Sequence, residues 1–194
     1  KDTLNLPKTK FSMKANLAQK EPEILKYWEE INLYDSLQEQ NKNKPKFTFH
    51  DGPPYANGPI HLGTSINKTL KDIACKSRLL SGYNVSFVPG WDCHGLPIEL
   101  NVEQKSGKPN IDLPAKDFRA KCRDYANQQI AIQKKDFKRL GVLADWNNPY
   151  KTMDFSFEAG IIRALSEIVK SGHLVKGDKP VYWLSLIHIS EPTR

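Results

Sequence analysis

The chain has 194 residues, 39% hydrophobic and 26% charged, a balance that excludes disordered and fibrous classes and allows one ordinary domain with a real core. Its formal net charge of +7 points to an acidic partner such as nucleic acid, although many basic proteins touch none. No apolar run reaches bilayer length, the N-terminal residues show no charged-then-apolar secretory pattern, and Cys75, Cys93 and Cys122 never form a C-x-x-C pair, so membrane, disulfide-framework and complete cysteine-zinc classes are set aside and a reducing, cytoplasmic setting is expected. Because it opens at Lys1 rather than Met, the chain is expected to be processed, trimmed or a fragment.

Residues 1–20 read as an extended arm, and apolar spacing from Glu21 to about Leu37 predicts a helix with Pro22 in its first turn. A polar linker, 40–46, leads into KFTFH (46–50), which alternates as a short strand does. The run DGPPYANGP ends that strand abruptly. From Leu62 the period becomes helical: Leu62, Ile66, Leu70, Ile73 and Ala74 mark one face of a helix to about Leu80, stopped by Ser81-Gly82. YNVSFV (83–88) reads as a second strand, so a βαβ unit with parallel strands is expected. Residues 114–140 form a long basic helix pattern, 156–172 a further helix with Ser156 as cap and Gly172 as stop, and KPVYW (179–183) one more strand.

The stretch FHDGPPYANGPIHLGTSINKTLKD (49–72) combines stiffness and backbone freedom in a way a mere connection does not need. His61, Leu62, Gly63 and Thr64 sit where the loop becomes a helix, and helix N-termini favour phosphate. The same string also fits a plain turn in which the glycines serve conformation and His61 caps the helix. After the second strand, GWDCHG (90–95) lies at the carboxyl edge where open α/β sheets bind ligands. Asp92 suits an ammonium group but also suits a turn, and Trp91 suits the core better than a pocket wall. Asp92, Cys93 and His94 are consecutive and so are not read as a metal site. The basic residues between Lys116 and Arg139 read first as a solvated face and second as a contact for RNA phosphates.

DGPPYANGPIHLG resembles the nucleotide-binding signature of class I aminoacyl-tRNA synthetases, and PGWDCHGLPIE (89–99), TLNLPKT (3–9), NKTLKDI (67–73) and RLGVLADW (139–146) narrow the likeness to the isoleucyl family over about residues 1–183. That resemblance implies an α/β fold: residues 1–45 as an N-terminal arm and helix, and 46–183 as the first half of a Rossmann-type parallel-sheet catalytic domain. It implies ATP with Mg2+, isoleucine and tRNA(Ile) as the partners of a parent enzyme that forms isoleucyl-adenylate, while the fragment alone is expected to be inactive because the second signature lies elsewhere. It assigns ATP contacts to Gly58, His61, Gly63 and Thr64, with His61 and Thr64 catalytic, and isoleucine contacts to Gly52, Pro53 and Asp92. Thr64 departs from the usual histidine of the signature. The tail 184–194 does not resemble the family and is expected to be foreign sequence, and since no cysteine follows Cys122, no structural zinc site is expected within this chain. Other readings are a synthetase for another branched aliphatic amino acid and a non-catalytic RNA- or partner-binding fragment.

Overall fold

The computed structural model describes residues 14–178 and residue 180. The first thirteen residues of the expected arm, the expected strand 179–183 apart from position 180, and the tail 184–194 lie outside the described residues.

The single N-terminal helix expected from Glu21 to Leu37 is two helices, α1 (Leu17–Glu30) and α2 (Leu33–Gln40). Asn32 divides them with a left-handed φ of 46°, and its side-chain amide donates to Asp35 Oδ2 at 2.8 Å. Asparagine tolerates this conformation better than most residues, which is why the break falls there. Helix α1 also starts earlier than expected, so Leu17–Lys20 are helical rather than arm, and Pro22 stands inside the helix rather than in its first turn.

Strand β1 (Lys46–His50), helix α3 (Leu62–Leu80) and strand β2 (Asn84–Val88) form the expected βαβ unit. The strands are parallel, in register from Lys46↔Asn84 to His50↔Val88. Gly82, at φ 86°, ends α3 while the amides of Gly82 and Tyr83 close on Leu79 O and Arg78 O. Beyond Pro89, β3 (Gly90–Trp91) pairs in parallel with β4 (Tyr150–Lys151). Helix α4 (Leu96–Ser106), absent from the sequence reading, and helix α5 (Ala115–Arg139) occupy the intervening chain. Pro97 in the first turn of α4, and Gly107 just beyond its end, were the signals for it. Phe87, Trp91, Phe137, Ala56 and Ala126 make the centre of the core, with Phe49 edge-on to Phe87 at 5.6 Å and Phe137 stacked on Trp146 at 6.4 Å.

Helix α3 does not bury the apolar face that its spacing marks. Its apolar stripe is exposed, Leu62 at 76% and Leu70 at 61%, with Ile66 and Ile73 also open. The buried face carries Lys68, Asp72 and Cys75 instead. Each charge is paired: Lys68 Nζ meets Asp51 Oδ2 at 2.5 Å, and Asp72 accepts from Lys76 at 2.5 Å and from the Leu143 amide at 2.8 Å. Such pairing is the condition under which charges stay buried.

Half of the basic residues singled out on α5 are not simply solvated. Lys138 pairs with Glu29 at 2.6 Å, Arg139 with Glu21 at 2.7 Å, Lys134 donates to Trp146 O, and Arg123 donates to Met153 O. Lys116, Arg119, Lys121 and Lys135 remain exposed.

Cys75, 4% exposed on the buried face of α3, has its thiol pushed up to about 11 by burial, with Asp72 and Asp51 adding to the rise from an ordinary value of 9.0. The unfolded thiol ionises first, so its contribution to stability is whole below pH 9 and is lost as pH rises toward 11. Urea unfolding of Cys75→Ser between those pH values is expected to show a shallower fall in stability than the native chain.

The described residues from Phe155 onward belong to a second compact unit. Its helix α6 (Phe155–Lys170) begins one residue before the expected cap, so Ser156 lies within the first turn. Gly172, at φ 78°, follows its end as expected. Among the described residues no helix is long and apolar enough to cross a membrane.

Candidate active site

The site begins where β1 ends. Asp51 is fully buried, and its carboxylate gathers three donors: Lys68, Lys71 Nζ at 2.9 Å and the Gly90 amide at 3.3 Å. Its carbonyl accepts from the Tyr150 hydroxyl at 2.7 Å. Lys71 also donates to Gly52 O at 3.1 Å, so the first residue of the loop is held from below. Burial pulls the Lys68 ammonium below its ordinary value, opposed by the Asp51 carboxylate.

Gly52 and Pro53 then lead into a segment hydrogen-bonded to Asp92. The Asp92 amide donates to Pro54 O at 2.9 Å and the Ala56 amide donates to Asp92 O at 2.8 Å, a parallel bridge centred on Tyr55. The structure thus brings Asp92 beside the loop that contains Gly52 and Pro53. The Asp92 carboxylate is half-buried, and Oδ1 accepts from the His94 amide at 3.3 Å and the Thr152 hydroxyl at 3.5 Å. It is therefore a turn residue whose hydrogen bonds among the described residues engage Oδ1, so both readings of Asp92 are compatible with one geometry. Its neighbours do not share its direction: Cys93 Sγ donates to Trp91 O, and His94 Nε2 lies 3.0 Å from Thr152 O. Trp91 is fully buried in the core, as expected.

At the far end of the loop His61 is the N-cap of α3, with extended backbone at φ −108° and ψ 172°. Its Nδ1 accepts from the Thr64 amide at 3.3 Å. That bond places the proton of a neutral ring on Nε2, which is left as a donor. The cap and ligand readings of His61 are therefore not exclusive. Gly63 lies under the imidazole, where a Cβ would meet Cε1 at 3.0 Å, so a larger residue would make the ring shift by a few tenths of an ångström. Leu62 and Gly63 carry first-turn amides that no acceptor within the helix can reach. Thr64 is half-buried in that turn, its amide already engaged. Gly58 has open space where a Cβ would be, while its carbonyl accepts from Gln133 Nε2 at 2.7 Å.

Sequence reasoning missed Asp51, Lys68 and Gln133. Gln133 lies on the buried face of α5, in step with Phe118, Ala126, Ile130 and Phe137. A polar residue at a core position of an amphipathic helix was the available signal.

A helix N-terminus, a glycine-bearing loop and a carboxylate beyond a strand end meet here at a parallel sheet edge, an arrangement of the α/β class whose free first-turn amides suit an anionic group. The family model described as tRNA synthetases class I (I, L, M and V) matches residues 23–190, and the chain belongs to that family. Within it, the chain is 59% identical over 183 residues to the isoleucine–tRNA ligases of Ruthia magnifica subsp. Calyptogena magnifica and of Nitrosococcus oceani, and 60% identical to that of Francisella tularensis subsp. novicida. Each alignment covers 94% of this chain and 20% of the relative, so the chain spans about a fifth of the length of these curated relatives. The crystal structure of the ternary complex of Agrobacterium radiobacter K84 agnB2 LeuRS, tRNA and LeuAMS shares the fold, at a TM-score of 0.64 and 21% identity over 82% of this chain and 18% of that one.

Proposed function

We propose that this chain supplies the ATP- and isoleucine-binding segment of an isoleucine–tRNA ligase acting in the cytoplasm. The observation that carries the reading is the pair of backbone hydrogen bonds joining Asp92 to Pro54 and Ala56, at 2.9 and 2.8 Å. Adenylate formation requires the carboxylate of one substrate and the α-phosphate of the other to meet in line, so their two binding elements must be rigidly joined. In this reading Asp92 Oδ2 accepts the α-ammonium of isoleucine, and Gly52 and Pro53 lie along the substrate. The amides of Leu62 and Gly63, His61 Nε2 and the Thr64 hydroxyl face the phosphates of ATP, which carries Mg2+, and Gly58 leaves room for the nucleotide. The isoleucine carboxylate attacks the α-phosphorus, the bond to the bridging oxygen breaks, and pyrophosphate leaves. No side-chain nucleophile takes part; the fixed donors stabilise charge growing on the phosphate oxygens. The acyl group then passes to the terminal ribose of tRNA(Ile).

ATP–pyrophosphate exchange by the full-length polypeptide carrying this segment tests the reading. Exchange driven by isoleucine in preference to valine and leucine is expected, and residues 1–194 alone are expected to give none. A preference for valine or leucine would move the assignment to another branched aliphatic amino acid. Salt-sensitive tRNA binding with no exchange for any of the three would replace it with a non-catalytic role.

A further inference from the structure

The geometry points to Gln133 as a positioning residue that locks the ATP-side loop to the end of β3, next to Asp92. It is 2% exposed on α5, and its amide is engaged on both ends. Oε1 accepts from the Trp91 indole at 3.0 Å, and Nε2 donates to Tyr55 O at 2.9 Å and to Gly58 O at 2.7 Å. Both amide hydrogens of Nε2 are thereby used on loop carbonyls, and the acceptor is used on the residue next to Asp92. A neutral primary amide is the side chain that does this without a charge: methionine has neither donors nor a comparable acceptor, and glutamate loses both donors when ionised. Asp51 holds the opposite end of the same loop, through Lys71 on Gly52 O and through its own bond to the Gly90 amide. With the loop fixed at 52 and at 55–58, the spacing between its ligand groups and Asp92 does not depend on a bound substrate. This inference rests on the functional reading above.

A misplacement of about 1 Å costs roughly a hundredfold in rate when two substrates must align. Gln133→Met in the full-length polypeptide is therefore expected to lower kcat for isoleucine-dependent exchange by about that factor, while KM for isoleucine and for ATP each stay within about threefold, because each substrate keeps its own contacts. Rates are taken per folded molecule, from circular dichroism at the assay temperature. Hydrogen exchange of the 194-residue chain gives a second readout, with faster exchange at the amides of 55–58 expected in the variant. An unchanged kcat in a folded Gln133→Met protein overturns the inference. Should that variant not fold, Gln133→Glu decides: exchange recovering as pH falls and the carboxyl regains a donor supports the lock, and a pH profile parallel to the native one overturns it. If the native full-length polypeptide makes no adenylate, the functional reading fails by itself, and the hydrogen-exchange comparison then decides whether Gln133 joins the two loops.

Discussion

Asp51→Asn is expected to lose about 3–5 kcal/mol of stability, the range for removing one partner of a buried ion pair, against a total of roughly 5–15 kcal/mol for a domain. The reason is Lys68, 2% exposed and packed 4.9 Å from the centroid of the Phe137 ring and 5.6 Å from that of Phe87, which would be left without its anion. Lys68→Met is expected to cost much less. Lys71 and the Gly90 amide still satisfy the Asp51 carboxylate, and methionine keeps the contacts with both rings. The double variant, with neither buried charge of that pair, is expected to regain much of what Asp51→Asn alone loses. The pH dependence follows from the depressed Lys68 ammonium. Without Asp51 that depression deepens, so the native state sheds the proton before the unfolded state does. The stability of Asp51→Asn should therefore rise with pH over the interval below 10.5, as the unfavourable buried charge disappears. Urea midpoints for the three variants across that interval test each point, and equal losses in Asp51→Asn and Lys68→Met would refute the account.

The largest expected effect on activity belongs to His61. Removing one preorganised donor at a transition-state charge costs about 10²–10³ in kcat, and this is the loss expected for His61→Ala in isoleucine-dependent exchange by the full-length polypeptide. The same substitution removes the cap on the Thr64 amide, a separate cost of about 1 kcal/mol. His61→Asn separates the two roles. Asparagine caps a helix well with a short acceptor but has no atom at the position of Nε2. Its stability should match or exceed that of the native chain while exchange stays as low as in His61→Ala. Recovery of exchange in His61→Asn would show that the ring serves only the helix.

Much of the fold was legible because its boundaries are set by local chemistry. The limits of β1 and α3 follow from DGPP, from the change of period at Leu62 and from Ser81-Gly82, all within a few residues of the element they end. The errors fall where partners are remote. Nothing near Lys68 announces that Asp51, seventeen positions earlier, neutralises it, so the apolar spacing of α3 marks one face of the helix without telling which face is buried. Gln133 reads as one more polar residue in a basic helix until Tyr55, Gly58 and Trp91 are seen around it. The break at Asn32 depends on one residue adopting a left-handed backbone against a continuous apolar rhythm. Within the site, His61 and Asp92 each allow two readings, and in both cases the local hydrogen bond uses one polar atom, Nδ1 or Oδ1, and not the other.

Helix α3 also bears on how substitutions along it will be read. One side is fastened to the sheet by salt links, and the other offers Leu62, Ile66, Leu70 and Ile73 to whatever lies across from it. Such a segment has two unlike flanks, one charged and buried, the other apolar and exposed. Its two flanks answer to separate selective pressures: charge reversal on the inward flank would undo the domain itself, whereas a polar replacement on the outward flank would leave the domain intact and alter only how it adheres to other surfaces.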